Sequence, residues 1–302
     1  MVLEYDTYQK VCSGDGAIVG GEVVASNKYV CDADTFRIAN ETEINLNKGC
    51  VSYTENDEIR INLSEGLDSV YTCINAQWVG SIDGIVYGTL LDNRDGKTYK
   101  TVVIGKQTWM AENLNYADSV KYPGMKGRNW CYGNKLGNCT KYGRLYTWAA
   151  AMDSVGTFSS NGKDCGYLKS CSPRADTVTF PIQVRGICPE GWHLPDKFEF
   201  ENLFNAVGGS STAGSMLKST SGWKYDGNGS DDFGFAALPA GSWVSIDSEF
   251  KNEGYRTSFW SSSGNYSEDA YDLFLDYYDA KAYIYTSYKS DGCYVRCIKD
   301  SE

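Results

Sequence analysis

The sequence predicts an α+β fold with a small, disulfide-linked, β-rich region at its N-terminus. Three observations support this prediction. A strand, a tight turn and an amphipathic helix follow one another between Cys188 and Val207. Four strand-like segments close the chain from Thr257 onward. Eleven cysteines without a Cys-x-x-Cys pair, beside a single histidine, indicate disulfides in an oxidising compartment rather than zinc sites.

The helix that follows Cys188 is the best-defined element of the sequence. Residues 192–194 form a short apolar segment typical of a buried strand, and Pro195 ends it. Asp196 suits the N-cap position, and Glu199 stands three residues later, as a capping box requires. Apolar residues then recur at the spacing of one helical face: Phe200, Leu203, Phe204 and Val207.

Length and charge restrict the class of protein. A chain of 302 residues can form one large domain and a smaller region. The 28 basic and 39 acidic residues give a net charge of −11, which disfavours binding to nucleic acid. No apolar run is long enough for a transmembrane helix. The first residues lack the apolar core of a signal peptide, so we expect the targeting segment to be absent from this sequence.

The first eighty residues contain two similar units, which we predict as β repeats at residues 1–38 and 39–80. In each unit a tyrosine precedes the second cysteine by two positions and an aromatic residue follows it by five. A disulfide within each unit would compensate for its small core, so we predict Cys12–Cys31 and Cys50–Cys73. One irregular cysteine-rich domain with crossed pairing is the alternative, because sequence does not decide connectivity.

Residues 81–91 are predicted to be a linker and residues 92–302 the main domain. Residues 95–104 and 107–114 flank Gly105-Lys106, which predicts a hairpin with a two-residue turn. A first helix is expected near Leu145, and residues 215–218 form at most a helical turn. Strands are predicted over 257–261, 270–277, 282–288 and 293–299. Local disulfides are predicted for two cysteine pairs: Cys131–Cys139 and Cys165–Cys171.

Several motifs of residues 92–300 together resemble the Fibrobacter succinogenes major paralogous domain. They are DGKTYKTVVIGKQTWMAENL (95–114), YGRLYTWAAAM (142–152), CPEGWHLP (188–195), DDFGFAALPAG (231–241), FWSSS (259–263) and VRCIKD (295–300). The resemblance implies a C-type-lectin-like fold, with two helices around a small twisted, mostly antiparallel sheet. It also implies a Cys188–Cys297 disulfide, and closing a loop of about 100 residues is worth roughly 4.7 kcal/mol in the chain-entropy model.

No residue pattern predicts a catalytic site. His193 lies inside a strand, so we interpret it as a structural, hydrogen-bonded histidine. The calcium motifs of related lectins are absent; Asp231 and Asp232 could ligate calcium, although such a pair more often caps a turn. Formylglycine-generating enzymes, to which the resemblance extends, bind copper through two cysteines near the C-terminus, and Cys293 and Cys297 invite that comparison. Pairing of Cys297 with Cys188 would leave Cys293 alone, buried and inert.

The alternation of residues 271–288 predicts a ligand-binding face. Leu273 and Leu275 point to one side of their strand, and Ile284 to the same side of the next. The predicted binding residues point to the other side: Asp272, Phe274, Asp276, Tyr278, Tyr283 and Tyr285. Aromatic rings with carboxylates suit stacking on sugars or anchoring a protein partner. A second buried face without a ligand is the alternative.

These observations favour a secreted or surface-displayed, non-catalytic recognition or adhesion module of bacterial type. Its partner would be a glycan or an extracellular protein, and it could act as an oligomer or within an assembly. Two alternatives stand beside this hypothesis. One is a copper oxidoreductase related to formylglycine-generating enzymes. The other is a structural subunit of an extracellular layer or filament, with the cysteine repeats as an assembly arm.

Overall fold

A computed structural model describes residues 2–5, 8–11, 18–20, 28–32, 35–51, 54–64, 67–83, 85–169 and 183–301. The chain divides into two compact units, Met1–Gly84 and Ile85–Glu302. The boundary between them falls within the expected linker. The division of the first unit into two repeats stays a prediction.

The described part of the first unit is built from short antiparallel strands and one helix, α1 (Glu41–Leu46). The strands are β1 (Val2–Tyr5), β2 (Tyr8–Val11), β3 (Ile18–Gly20), β4 (Lys28–Asp32), β5 (Thr35–Ile38), β6 (Glu58–Ser64), β7 (Leu67–Ile74) and β8 (Gln77–Asp83). They pair as β1-β2, β3-β4-β5 and β6-β7-β8. Cys50 and Cys73 form the predicted disulfide, which packs against Trp78. Cys12 lies outside the described residues, so its pairing with Cys31 stays a prediction.

The second unit contains two five-stranded sheets and four short helices within its described residues. Its strands are β9 (Gly88–Asp92), β10 (Lys97–Ile104), β11 (Gln107–Met110), β12 (Asn129–Trp130), β13 (Leu145–Tyr146), β14 (Trp192–His193), β15 (Ala240–Val244), β16 (Glu249–Glu253), β17 (Arg256–Gly264), β18 (Asp269–Asp276), β19 (Ala282–Tyr288) and β20 (Ile298–Lys299). Its helices are α2 (Leu136–Tyr142), α3 (Trp148–Ala151), α4 (Lys197–Ala206) and α5 (Ser210–Leu217).

The first sheet of this unit has the order β14-β20-β11-β10-β9 and joins segments that are distant in sequence. The predicted hairpin is confirmed within this sheet, where β10 and β11 are neighbours. Ile104 pairs with Gln107 across a turn at Gly105, whose φ is +61°. The Cys188–Cys297 disulfide lies beside β14 and β20, and both sulfurs belong to a large buried core. This cross-link therefore joins the segments of β14 and β20, which are neighbours at one edge of the sheet.

The second sheet has the order β16-β15-β17-β18-β19 and is almost entirely built from the last third of the chain. β17 and β18 pair antiparallel, with Phe259 opposite Leu273. β18 and β19 also pair antiparallel, with Phe274 opposite Tyr283. The strand predicted over 282–288 is observed with the same bounds. The strand predicted over 257–261 is longer in the structure, and the one predicted over 270–277 is shifted by one residue toward the N-terminus.

The prediction of an α+β, C-type-lectin-like fold with two helices around one small sheet is wrong. The described residues are mostly β, and the second unit has two five-stranded sheets instead of one small sheet. Among the described residues the helices are short: α4 has ten residues, and the helix expected from Leu145 has only four. Local periodicity identified α4 correctly but could not show how many separate strand pairings the rest of the chain makes.

Three local predictions also need correction. Leu145 and Tyr146 form strand β13, and the helix begins only after Thr147, whose hydroxyl accepts a hydrogen bond from the Ala150 amide. Residues 210–217 form an eight-residue helix rather than a single turn. Of the strand expected over 293–299, only β20 is regular, because the preceding residues make isolated bridges to other segments.

The remaining cysteines agree with disulfide chemistry where the structure describes them. Cys131 and Cys139 are bonded to each other, as predicted. Cys165 is disulfide-bonded, but Cys171 lies outside the described residues, so that pairing stays a prediction. Cys293 is a free, buried thiol.

Candidate ligand-binding surface on the C-terminal sheet

One side of β18 is apolar core, and the other side is also buried at Ala270, Asp272 and Asp276 but reaches the surface at Phe274. Leu273 and Leu275 are completely buried, together with Phe259 and Thr257 on the neighbouring strand. Side chains on the other side of β18 include Phe274, which points away from this core. The predicted alternation therefore identifies the core side of the strand correctly.

Three aromatic rings form the centre of the outward side, and we call them the aromatic face: Phe274, Tyr283 and Tyr285. The ring centroid of Phe274 lies 6.3 Å from that of Tyr283 and 5.7 Å from that of Tyr285. Tyr285 is 61% exposed, and the other two rings are half-buried. Aromatic neighbours at these distances hold each other in place, so the face presents a preordered apolar surface to solvent.

Arg256 borders the aromatic face and gives it a charged edge. Its guanidinium carbon lies 5.6 Å from the centroid of the Phe274 ring. Its Nε donates a hydrogen bond of 2.6 Å to Oδ2 of Asp276, while its side chain stays 45% exposed. The ion pair orients the guanidinium.

The prediction that Asp272 and Asp276 supply accessible hydrogen-bond acceptors is wrong, because both residues are completely buried. Asp276 lies under Arg256. Oδ1 of Asp272 accepts a hydrogen bond from Ser287 at 3.3 Å, and Ser258 also lies beside this carboxyl group. Burial raises the pKa of Asp272 to about 7, although hydrogen bonds from Ser258 and Ser287 oppose this rise. Strand alternation predicts a side chain's direction, not what covers it.

Tyr278 lies beyond the end of β18 and does not join the aromatic face. Its ring contacts Tyr277 at 5.4 Å, and it is 66% exposed. Tyr277 in turn contacts Tyr255 at 5.4 Å and Tyr225 at 5.6 Å. We call these four residues the tyrosine cluster. We did not predict Tyr225, Tyr255 or Tyr277 as binding residues, although the Tyr277-Tyr278 pair at the end of a predicted strand indicates an aromatic surface.

The enzyme alternative finds no support in the arrangement of cysteines. Copper binding by Cys293 and Cys297 needs two thiolates, but Cys297 is bonded to Cys188. Cys293 is buried beside Ser287, and burial raises the pKa of its thiol well above the ordinary value. A thiol that resists ionisation is a poor nucleophile and a poor metal ligand.

His193 has the structural role that we expected. Its Nε2 lies 2.9 Å from Oε1 of Glu199, and its Nδ1 lies 2.7 Å from Oδ1 of Asp300. Burial lowers the pKa of His193, but hydrogen bonds and charge from both carboxylates outweigh this effect and raise it above its ordinary value. The imidazole thus links β14 to the start of α4 and to the C-terminal segment.

The calcium site considered at Asp231 and Asp232 stays untested. The Asp231 carboxylate accepts a hydrogen bond of 2.6 Å from the Ala236 amide, and the Asp231 carbonyl accepts one from Gly234. These bonds are those of a turn cap. Within the described ranges, no group of three or more histidine, cysteine or acidic residues is placed to hold a metal ion.

Comparison with known families identifies the second unit. The chain belongs to the Fibrobacter succinogenes major domain family, because the model of that family matches residues 102–299, well over half of the sequence. The family fits a non-catalytic module of a bacterial surface protein, and the disulfides indicate an oxidising environment. No curated protein and no solved structure gave a significant match. Among the described residues, no helix is both long and apolar enough to cross a membrane.

Proposed function

We propose that this protein is an extracellular recognition module that binds a glycan or a secreted protein through the aromatic face and the adjoining tyrosine cluster. The observation that supports this function is the exposure of Tyr285 above the half-buried Phe274, on a sheet whose opposite side is core. The sheet supports the rings rigidly, so little conformational entropy is lost when a ligand binds.

The composition of this surface suits recognition. Tyrosine and arginine are the residue types that most often dominate binding energy at interfaces, and here Tyr285, Tyr278 and Arg256 are exposed together. The rings offer flat apolar area, and the phenol and guanidinium groups offer hydrogen bonds at its edge. Asp272 and Asp276 contribute indirectly, because they orient neighbouring side chains from beneath.

A paired screen against immobilised glycans and secreted proteins tests this function. The wild-type protein should bind at least one member of the screen, and Tyr285→Thr should lose that binding. Threonine keeps the strand propensity of the position while removing the ring. Measurement with calcium and with EDTA also tests the calcium hypothesis, and we expect the same hits under both conditions.

Tyr288→Thr is the matched control for this screen. Tyr288 lies on the same strand, is also exposed, and points to the other side of the sheet because it is three residues from Tyr285. The control should retain every interaction of the wild type. If Tyr285→Thr also retains them all, the aromatic face is not the binding surface.

The structural-subunit alternative makes a different prediction for the same experiment. A layer or filament subunit would bind other copies of itself rather than an immobilised glycan or foreign protein. Concentration-dependent self-association without a hit in the screen would therefore favour that alternative.

A further inference from the structure

The aromatic face and the tyrosine cluster form one continuous surface. A hydrogen bond from Tyr283 to Asp279 raises the pKa of Tyr283 to about 12, and the nearby Tyr278 phenol adds to this rise. Tyr278 therefore lies beside the aromatic face, while its ring contacts Tyr277 in the tyrosine cluster. We call the aromatic face and the tyrosine cluster together the aromatic path.

The aromatic path runs along the sheet and past its end. Tyr285 and Tyr283 stand on the same side of β19, two residues apart, so the first rings follow the direction of the strand. Tyr277 comes directly after β18 and contacts Tyr225 beyond it. The most exposed rings mark one end, the middle and the other end of the path: Tyr285 is 61%, Tyr278 66% and Tyr225 76% exposed.

Neither sign of charge prevails beside the aromatic path. Arg256 and Asp276 neutralise each other at 2.6 Å. The buried Lys218 donates hydrogen bonds to the backbone carbonyls of Asp276 and Asp279. The flanking side chains include both signs in equal number: Lys218, Lys224, Arg256 and Lys281 are basic, and Asp226, Asp272, Asp276 and Asp279 are acidic. A charged ligand therefore has little to gain on this surface.

Neighbouring rings of the aromatic path are tilted against one another. The angle between ring planes is 40° for Phe274 and Tyr285, 52° for Phe274 and Tyr283, and 50° for Tyr225 and Tyr277. A rigid flat surface stacks only on rings that share a plane, whereas a flexible chain can turn between one ring and the next. The path therefore suits a single polymer chain rather than the face of a solid.

We propose that the aromatic path binds one extended, neutral polysaccharide chain along the direction of β18 and β19. This ligand class rests on the proposed function, since the same surface is used. Pyranose rings present apolar faces that stack on aromatic rings, and the exposed phenol groups can hydrogen-bond sugar hydroxyls. The hot spots of protein interfaces cluster near the centre of a compact area. Here the exposed tyrosines are instead spread along a row, which favours a chain-like ligand.

Calorimetry on the whole chain tests the proposal, with cellohexaose, mannohexaose, xylohexaose and the corresponding disaccharides as probes. At least one hexasaccharide should bind, at least about 10-fold more tightly than its disaccharide, because the disaccharide reaches only part of the path. Added salt should leave the affinity unchanged, because the contacts are not ionic. Equal affinity of disaccharide and hexasaccharide, salt-sensitive binding, or no binding of any hexasaccharide would overturn the proposal. Adsorption to microcrystalline cellulose without binding of cellohexaose would contradict it as well.

Variants at the two ends of the path provide the second arm of the test. Tyr285→Thr and Tyr225→Asn should each weaken binding of the hexasaccharide by at least about 10-fold, because each removes one stacked ring. Asparagine replaces Tyr225 because φ at this position is +51°, a backbone conformation that asparagine tolerates. Tyr288→Thr, on the other side of the sheet, should bind as the wild type does. Thermal unfolding of each variant verifies that it folds.

The outcomes separate this proposal from the proposed function. If Tyr285→Thr loses a ligand of the screen while Tyr225→Asn keeps it, the aromatic face is a binding surface but an extended chain does not span the path. A secreted protein as the ligand lost by both variants, without binding of a hexasaccharide, would likewise support the proposed function and contradict the polysaccharide. Hexasaccharide binding that neither variant weakens would place the ligand elsewhere and contradict both.

Discussion

The carboxyl group of Asp272 is completely buried under the C-terminal sheet, with a pKa raised to about 7. An acid whose pKa is higher in the folded than in the unfolded state binds more protons when folded. Its contribution to stability is therefore present at low pH and is lost as the pH rises from about 4 to about 7. Asp272 makes the folded domain less stable at neutral pH than it would otherwise be.

Asp272→Asn should remove this pH dependence. Relative to the wild type, the variant should gain stability as the pH rises from about 5 to about 8, because asparagine needs no proton to stay neutral. Because the unfolded carboxyl is already ionised at pH 5 and the folded pKa is about 7, the gain between these pH values is limited to roughly 3 kcal/mol. Urea unfolding of both proteins at the two pH values measures it. An equal difference at both values would show that Asp272 titrates normally.

At the residue scale, the sequence predicted directions better than environments. The alternation of β18 placed Leu273 inward and Phe274 outward, and both are found there. It could not predict that Asp272 is covered, because alternation along one strand does not show that Cys293 and Ser287 pack near this carboxyl group. The burial of Arg296 was likewise not predictable, since its partners Asn113 and Phe235 are remote in sequence.

At the scale of elements, local signals succeeded where a few neighbouring residues decide the structure. Asp196 and Glu199 form the predicted reciprocal capping box at the start of α4. Capping also explains why the helix expected from Leu145 was wrong. Thr147 is the N-cap, so the helix begins after it, and Asp153, with φ of 54°, stops the chain from continuing as a helix. Thr147 could therefore have predicted the start of this helix from the sequence.

The Cys188–Cys297 disulfide is the cross-link whose loss should affect the second unit most. It closes a loop with a sequence separation of 109, and the chain-entropy model assigns roughly 4.7 kcal/mol to a loop of about this size. Replacing both cysteines with serine should lower the free energy of unfolding by several kcal/mol, on the order of 2–5. Denaturant unfolding under non-reducing conditions measures the change.

Cys131–Cys139 is the matched control, because its two cysteines are separated by only 8 positions. The same model gives less than about 3 kcal/mol for so short a loop. Its double serine variant should therefore be affected less than the variant at 188 and 297. A reversed order would mean that strain or local packing, rather than loop closure, determines what these disulfides contribute.

For the whole molecule, the sequence identified the family and the disulfide-linked character but not the architecture. Family membership follows from short motifs that persist along the chain, and these are visible by eye. The fold depends on pairings such as β14 with β20 and β20 with β11, each made by only one or two residue pairs between distant segments. Neither periodicity nor composition contains information about such contacts, so the proportion of helix was overestimated.

The measurement that tests the central claim most directly compares the binding and unfolding free energies of Tyr285→Thr and Tyr288→Thr with those of the wild type, using a ligand found in the screen. If the aromatic face is a binding surface, Tyr285→Thr loses about 2 kcal/mol or more of binding free energy. Its unfolding free energy should stay within about 0.5 kcal/mol of the wild type, and Tyr288→Thr should change neither quantity beyond that range. A large loss of stability in Tyr285→Thr, or binding as tight as that of the wild type, would contradict the account.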